Sequence, residues 1–577
     1  MSLINALEIA RSALTASQVG LQVSGNNMAN AATPGYSRQV VLYKGIPGAQ
    51  ADVFRVGRGV GVASVQRKVD EALQRRLWSG ISDEFSAAKR TSIFDQLEGI
   101  FNELTGYDLS TELGSFFNTW SEVSSVLDSG TVVIQQGSKM AAFIRSMRGD
   151  MENLRSQVEN ELDANVTRAN DLLGDIANLN RTITQAEVGG NQASTLRDQR
   201  DQLIGELSTL IDVHAVEDAQ GNLDVLVGST PVILAGESRG LDIERVADGD
   251  NLEIRIVVGA DREPLPATSG TIGGLLEARD GTIDQAIADL DQLSAQIIFQ
   301  VNKLHSTGTD GDGLLFADSD LQVPTADRTL AFNDPNNETF SDLPFHAENG
   351  GFYVNVTNSA TGSTDQVWID VDLDGLTNAG LAGYDDDTTP EDIRAALDAI
   401  DGITATWSPD GRLTVEADTG YSFSFQDDSS SVLGVMGVNA FFTGTSGQDI
   451  AVRQSLLDDP QNLMLGRIVD GQFVENGTAL QIAGLQDSKL EDLGDRSVLR
   501  FWTDRVQGVA TKASTAASDA EAAKLVRESL ETQNAAVSGV SLDEESVNLL
   551  TYQRQFQGAA QLVNIANEMF NTLLSIL

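Results

Sequence analysis

The chain contains no cysteine, which excludes a disulfide scaffold and any cysteine-based metal or redox centre. Histidine is almost as scarce. His214, His305 and His346 lie far apart in different expected elements, with no metal-ligand spacing among them. Basic residues are also few: 38 Lys and Arg stand against 84 Asp and Glu, a formal charge of −46. That excess argues against nucleic acid as a partner, because phosphate binding needs clustered Lys and Arg. It keeps a free chain soluble through self-repulsion. No run of eighteen apolar residues occurs, so no membrane-spanning helix is expected and no membrane partner is assigned. No secretory signal is expected at the N-terminus either: Glu8 and Arg11 interrupt the place of its apolar segment, and no basic stretch precedes it. If the chain works outside the cell, it is expected to leave without a cleaved signal.

Catalytic patterns are equally absent. There is no G-x-S-x-G and no P-loop. Gly57, Gly59 and Gly61 space as G-x-G-x-G, with Val62 where a dinucleotide fingerprint needs its third glycine. No catalytic residue and no cofactor are therefore assigned. One metal pattern is partial. Asp370, Asp372 and Asp374, followed by Gly375, match the first half of a calcium loop, but Leu381 replaces the bidentate acid at position twelve. The competing and preferred reading is a strand. Val367, Ile369, Val371 and Leu373 would face inward, with Trp368, Asp370, Asp372 and Asp374 in solvent.

What is present has length and order. The 577 residues suggest three or four domains. Residues 1–80 hold nine basic and four acidic groups, net +5, so the remainder carries −51. A mildly basic end on an acidic body suggests that the end meets a different surface. Residues 2–30 read as an amphipathic helix with Leu7, Leu14, Leu21 and Met28 every seven residues, beside a weaker stripe of Leu3, Ala10, Ser17 and Ser24. The far end repeats the pattern more cleanly: Leu549, Phe556, Val563, Phe570 and Leu577 lie seven apart, with Tyr552, Ala559, Ala566 and Leu573 between them. Such a seam is too narrow for an ordinary core helix, so the two chain ends are expected to pair as a coiled coil. A two-helix pair is marginal alone, and neighbouring subunits are expected to complete it.

Between the ends the chain alternates. Residues 33–66 read as an extended or hairpin segment, 68–212 as helices, 213–269 as short strands and 271–305 as helix. Residues 311–470 read as mainly β with one helix starting near Thr389-Pro390, and the chain from about 476 onward as helix. Gly189-Gly190-Asn191 is expected to break one long helix from a second over 191–211. The fold class expected is multidomain α+β: paired terminal helices, a long-helix bundle built from both chain halves, and inserted β-rich outer domains. The expected boundaries are a terminal assembly domain (1–32 with 540–577), a mainly helical domain (33–212, 271–310 and 476–539), a small β unit (213–270) and a β-rich outer domain (311–475).

The segment Ser24-Gly-Asn-Asn-Met-Ala-Asn-Ala-Ala-Thr-Pro-Gly-Tyr-Ser-Arg-Gln39 resembles the motif that closes the first helix of bacterial flagellar rod, hook and hook-associated proteins. Gly57 to Arg67, with Asp70, Leu73 and Arg76, is similar to that family's next element. Gly35 to Gln39, Leu196 to Ile204, Ile272 to Arg279 and Gly539 to Glu545 resemble the hook-associated protein 1 group within it. The resemblance covers roughly 1–310 and 476–577. Residues 320–470 lack it apart from Gly437-Val-Asn-Ala-Phe-Phe-Thr-Gly444. It implies a non-enzymatic structural subunit of the flagellum at the junction of hook and filament. Its partners would be identical subunits in a ring, hook protein, hook-associated protein 3 and an export chaperone. The implied route out is the flagellar type III apparatus. The assembly surface would hold Leu7, Leu14, Leu21, Met28, Leu549, Phe556, Val563, Phe570, Leu573 and Leu577, with Asn27, Asn30, Gly35 and Tyr36 from the closing motif. Two other readings stay open: another axial subunit of rod or hook, or an extracellular adhesin or enzyme carried by 320–470.

Overall fold

The computed structural model describes residues 3–47, 57–102, 106–126, 130–188, 192–218, 221–248, 251–377 and 379–576. The chain divides into two compact units, one from residues 1–93, 157–280 and 513–577 and the other from 94–156 and 281–512. The helices Glu71–Phe101, Gly130–Glu187 and Val498–Ser538 supply residues to both. The fold is multidomain α+β, with long helices and several small antiparallel sheets.

In the first unit a terminal helix opens the chain (Leu3–Ala29) and another closes it (Leu542–Ile576). A bulged antiparallel hairpin, Gln39–Gly45 with Val60–Arg67, follows the first helix as the glycine- and proline-rich spacing predicts. The long helix Gly130–Glu187 buries Val158, Leu162, Val166, Leu172, Ile176 and Ile183 at the three- and four-residue spacing of one helical face. Its expected break at Gly189-Gly190-Asn191 lies outside the described residues, and the next helix runs Ser194–Leu210. A four-stranded meander begins at His214–Glu217, and a three-stranded sheet is led by Leu241–Asp248. Gly274 lies where a Cβ would come within 2.7 Å of the Ser86 carbonyl oxygen, which explains the paired glycines of the helix Gly270–Ala278.

The second unit holds the β-rich part of the sequence. Gly350–Asn358 is the central strand between Ser363–Val371 and Tyr421–Gln426, and its Phe352 and Val354 are buried with Phe423 and Phe425. The helix Pro390–Asp398 starts where Thr389-Pro390 predicts, with a reciprocal capping box between Thr389 and Asp392. The Gly437–Gly444 tail contributes Phe441 and Phe442, both fully buried. The two rings pack against Phe116, and Phe441 also meets Trp120. Asn302 fixes this tail: its Oδ1 accepts from the Phe441 and Phe442 amides at 3.0 and 2.9 Å, and its Nδ2 donates to the Phe442 carbonyl. The expected strand over Val367 to Asp374 ends early, at Val371. Asp372, Leu373 and Asp374 lie beyond it, because the partner strand begins at Gly350 opposite Val371 and Asp372 bonds to Thr388 instead.

Candidate assembly site

The terminal helices pair antiparallel, with Tyr552 lying on Gly20 and the end of the first helix beside the start of the last. The stripe turned inward on the first helix is the small one: Ala10, Ala16, Ser17, Gly20, Ser24 and Asn27 are buried. Ala559 and Ala566 are buried on the last helix, with Tyr552 partly so. A Cβ on Gly20 would come within 2.7–2.8 Å of three Tyr552 ring atoms, so the glycine admits the ring. Small residues let two backbones approach closely and leave the larger side chains outside the seam. Leu14, Leu21, Met28, Leu549 and Val563 are half-buried. Leu7 is 40% exposed, Phe556 38%, Phe570 53% and Leu573 50%. Ile4, Leu562, Ile565, Met569 and Leu574 extend this exposed apolar surface. Leu577 lies outside the described residues.

At the base of the pair, four segments singled out in the sequence converge. Asn27 is 1% exposed and acts as a short piece of strand: Nδ2 donates to the Gln39 carbonyl at 2.9 Å, and Oδ1 accepts from the Gln39 amide at 3.0 Å. The same Oδ1 accepts from the Tyr36 hydroxyl at 2.8 Å, and that hydroxyl accepts from Asn26 Nδ2 at 3.2 Å. Burial, with Asp198 and Glu545 nearby, pushes the Tyr36 phenol up to about 12, so it remains a donor. Asn30 donates to the Asn26 carbonyl at 2.9 Å and closes the helix end. Gly35 has φ +74°, the left-handed turn that follows Pro34.

Charged residues lock this turn to distant segments. Arg38 Nε meets Glu545 at 2.8 Å and its Nη1 meets Glu544 at 2.5 Å, across 507 and 506 residues of chain. The Arg38 amide donates to the Ser538 carbonyl. Asp198 accepts from the Ser37 amide at 3.2 Å and from Arg67 at 2.8 Å, and Arg67 also reaches Asp201 at 2.7 Å. Arg38 and Glu545 are largely buried, so breaking this pair is costly. Arg38, Arg67, Asp198 and Glu545 lie inside segments quoted for their resemblance, but no local pattern links residues this far apart. Of the spaced glycines Gly57, Gly59 and Gly61, Gly59 serves packing. A Cβ on Gly59 would fall 2.1 Å from Ser12 Oγ, while the neighbouring Val60 amide donates to that oxygen at 3.2 Å.

The three candidate metal residues separate. Asp370 is exposed on its strand and accepts from Trp368 Nε1 at 3.3 Å, whereas Asp372 and Asp374 turn toward Asp387. His305 is fully buried. Its Nδ1 donates to the Asn439 carbonyl at 2.7 Å and its Nε2 accepts from the Met464 amide at 3.3 Å, so it serves as a core hydrogen-bonding residue.

Residues 94–318 match the family model of the flagellar hook-associated protein FlgK helical domain. Residues 7–36 match that of flagella basal body rod protein, and residues 532–576 that of the flagellar basal body rod FlgEFG protein C-terminal region. The flagellar hook-associated protein 1 of Salmonella typhimurium is 26% identical over 591 residues, covering 98% of this chain and 99% of that one. Its namesake in Bacillus subtilis is 28% identical over 346 residues, 53% of this chain and 68% of that one. The solved flagellar hook junction protein FlgK of Burkholderia pseudomallei is 17% identical, with a TM-score of 0.48 over 80% of this chain and all of that one.

Proposed function

Because this chain belongs to the flagellar hook-associated protein 1 family, we propose that it is a structural subunit of the bacterial flagellum at the junction between hook and filament. The observation that carries the reading is the seam of the terminal helices. Small residues fill it, and large apolar residues are left on the outside. Nine such side chains, each with about 1 kcal/mol still to gain on burial, offer roughly 9 kcal/mol in total. That lies inside the range of the cost of fixing one subunit on another, about 4–15 kcal/mol. Burial of this surface leaves little surplus for a single contact, and neighbours on several sides, as in a closed ring, would make incorporation stable.

In this reading residues 1–32 and 540–577 form the assembly domain. The surface around Leu7, Phe556, Phe570 and Leu573 meets identical subunits, hook protein and hook-associated protein 3. The base formed by Asn27, Tyr36, Arg38 and Glu545 sets the angle at which the rest of the chain leaves the pair. The role is structural and not catalytic. The chain leaves the cell through the flagellar export apparatus, with a chaperone covering the apolar ends beforehand.

Electron microscopy of a deletion strain, with assay of flagellin in the medium, tests the assignment. Hooks without filaments, accompanied by unassembled flagellin, are expected. Normal filaments on those cells would overturn it.

A further inference from the structure

We propose that Asp372, Asp374 and Asp387 form a calcium-binding site at the end of the strand Ser363–Val371. One carboxylate oxygen from each lies within 4.8 Å of the others, and no nitrogen or sulfur ligand is among them. That limit is about twice a calcium–oxygen distance of roughly 2.4 Å, so one ion can touch all three. The stronger observation concerns Asp387, which is only 2% exposed. Its Oδ2 accepts from the Gly375 amide at 3.1 Å and from Asn333 Nδ2 at 2.6 Å, while its Oδ1 is buried with no hydrogen-bond partner. A buried carboxylate oxygen left unpaired is costly, and a cation in contact with it removes the cost.

The set of hard oxygens favours calcium or magnesium over a transition metal. Calcium is preferred, because the three carboxylates come from two separate stretches of chain, an irregular cage that near-octahedral magnesium tolerates poorly. Asp370 is excluded although it opens the sequence pattern. It lies on the strand, hydrogen-bonded to Trp368, while Asp372 and Asp374 lie beyond the strand's end.

Equilibrium dialysis of the full chain against calcium at fixed ionic strength tests the site. One ion per chain is expected, with a Kd of about 10⁻⁴–10⁻³ M, the range of extracellular calcium modules. Asp387→Asn and Asp374→Asn should each weaken binding at least tenfold, and Asp370→Asn should leave it unchanged. Asp374 is exposed, so its variant remains informative if Asp387→Asn fails to fold. Tighter binding of magnesium than of calcium would overturn the choice of ion. No uptake at about 10 mM calcium, or loss of binding in Asp370→Asn alone, would overturn the site.

Discussion

The most constrained side chains are those with partners on several sides. Asn27 holds both the amide and the carbonyl of Gln39 while buried. Asn27→Ala should cost about 1–3 kcal/mol, because it strands those backbone groups. Hydrogen exchange at the Gln39 amide should accelerate while the distant strand Gly350–Asn358 stays protected; unchanged exchange at Gln39 would contradict this role. His305 carries a pH prediction. Complete burial pushes its pKa down to about 4 from an ordinary 6.5. The unfolded chain therefore binds a proton between these values that the folded chain refuses. The stability involved is fully present above pH 6.5 and is lost as pH falls toward 4, an effect of about 3 kcal/mol. The urea midpoint should fall across that window and fall less steeply in His305→Asn; equal slopes would contradict the assignment. Phe441→Ala should cost about 3–5 kcal/mol, read as a lower urea midpoint, because the ring fills a closed aromatic cluster.

Among the elements, the terminal pair shows how far periodicity reaches. Heptad spacing marks both helices and the fact of their pairing, since leucine and phenylalanine every seven residues signal a seam. It does not say which stripe faces the partner helix. Size decides that: Gly20 admits the Tyr552 ring, and the alanines and serines permit close approach, so the larger residues lie off the seam. Gly20→Val should split the pair. Valine brings no gain in helix propensity comparable to the roughly 1 kcal/mol that alanine would bring, and its branches overlap the ring. Protection of the last helix against hydrogen exchange should fall; full protection would contradict the packing. The Thr389 cap and the hairpin at 39–67 were legible because their signals are local. The strand ending at Val371 and the approach of Asp387 to Asp372 were not, because a turn closed over fifteen residues leaves no period in the sequence.

At the scale of the molecule, an acidic body ends in helices whose outward apolar side chains stay exposed in the single chain. The segments Ser24 to Gln39, Gly57 to Arg67 and Gly539 to Glu545, falling in order at both ends of the chain, made a flagellar structural role legible. The convergence of Arg38 with Glu544 and Glu545, 506 and 507 residues apart, was hidden, since a salt bridge across the whole chain has no sequence signature. The outward faces of the terminal pair carry the proposed assembly contacts. The most direct measurement is complementation of a deletion strain with Phe556→Asp/Phe570→Asp, counting filaments by electron microscopy and assaying the variant in the medium. Both side chains are exposed in the single chain, so the variant should fold and be exported. The account predicts hooks without filaments and variant protein in the medium. Filaments at wild-type number would contradict it.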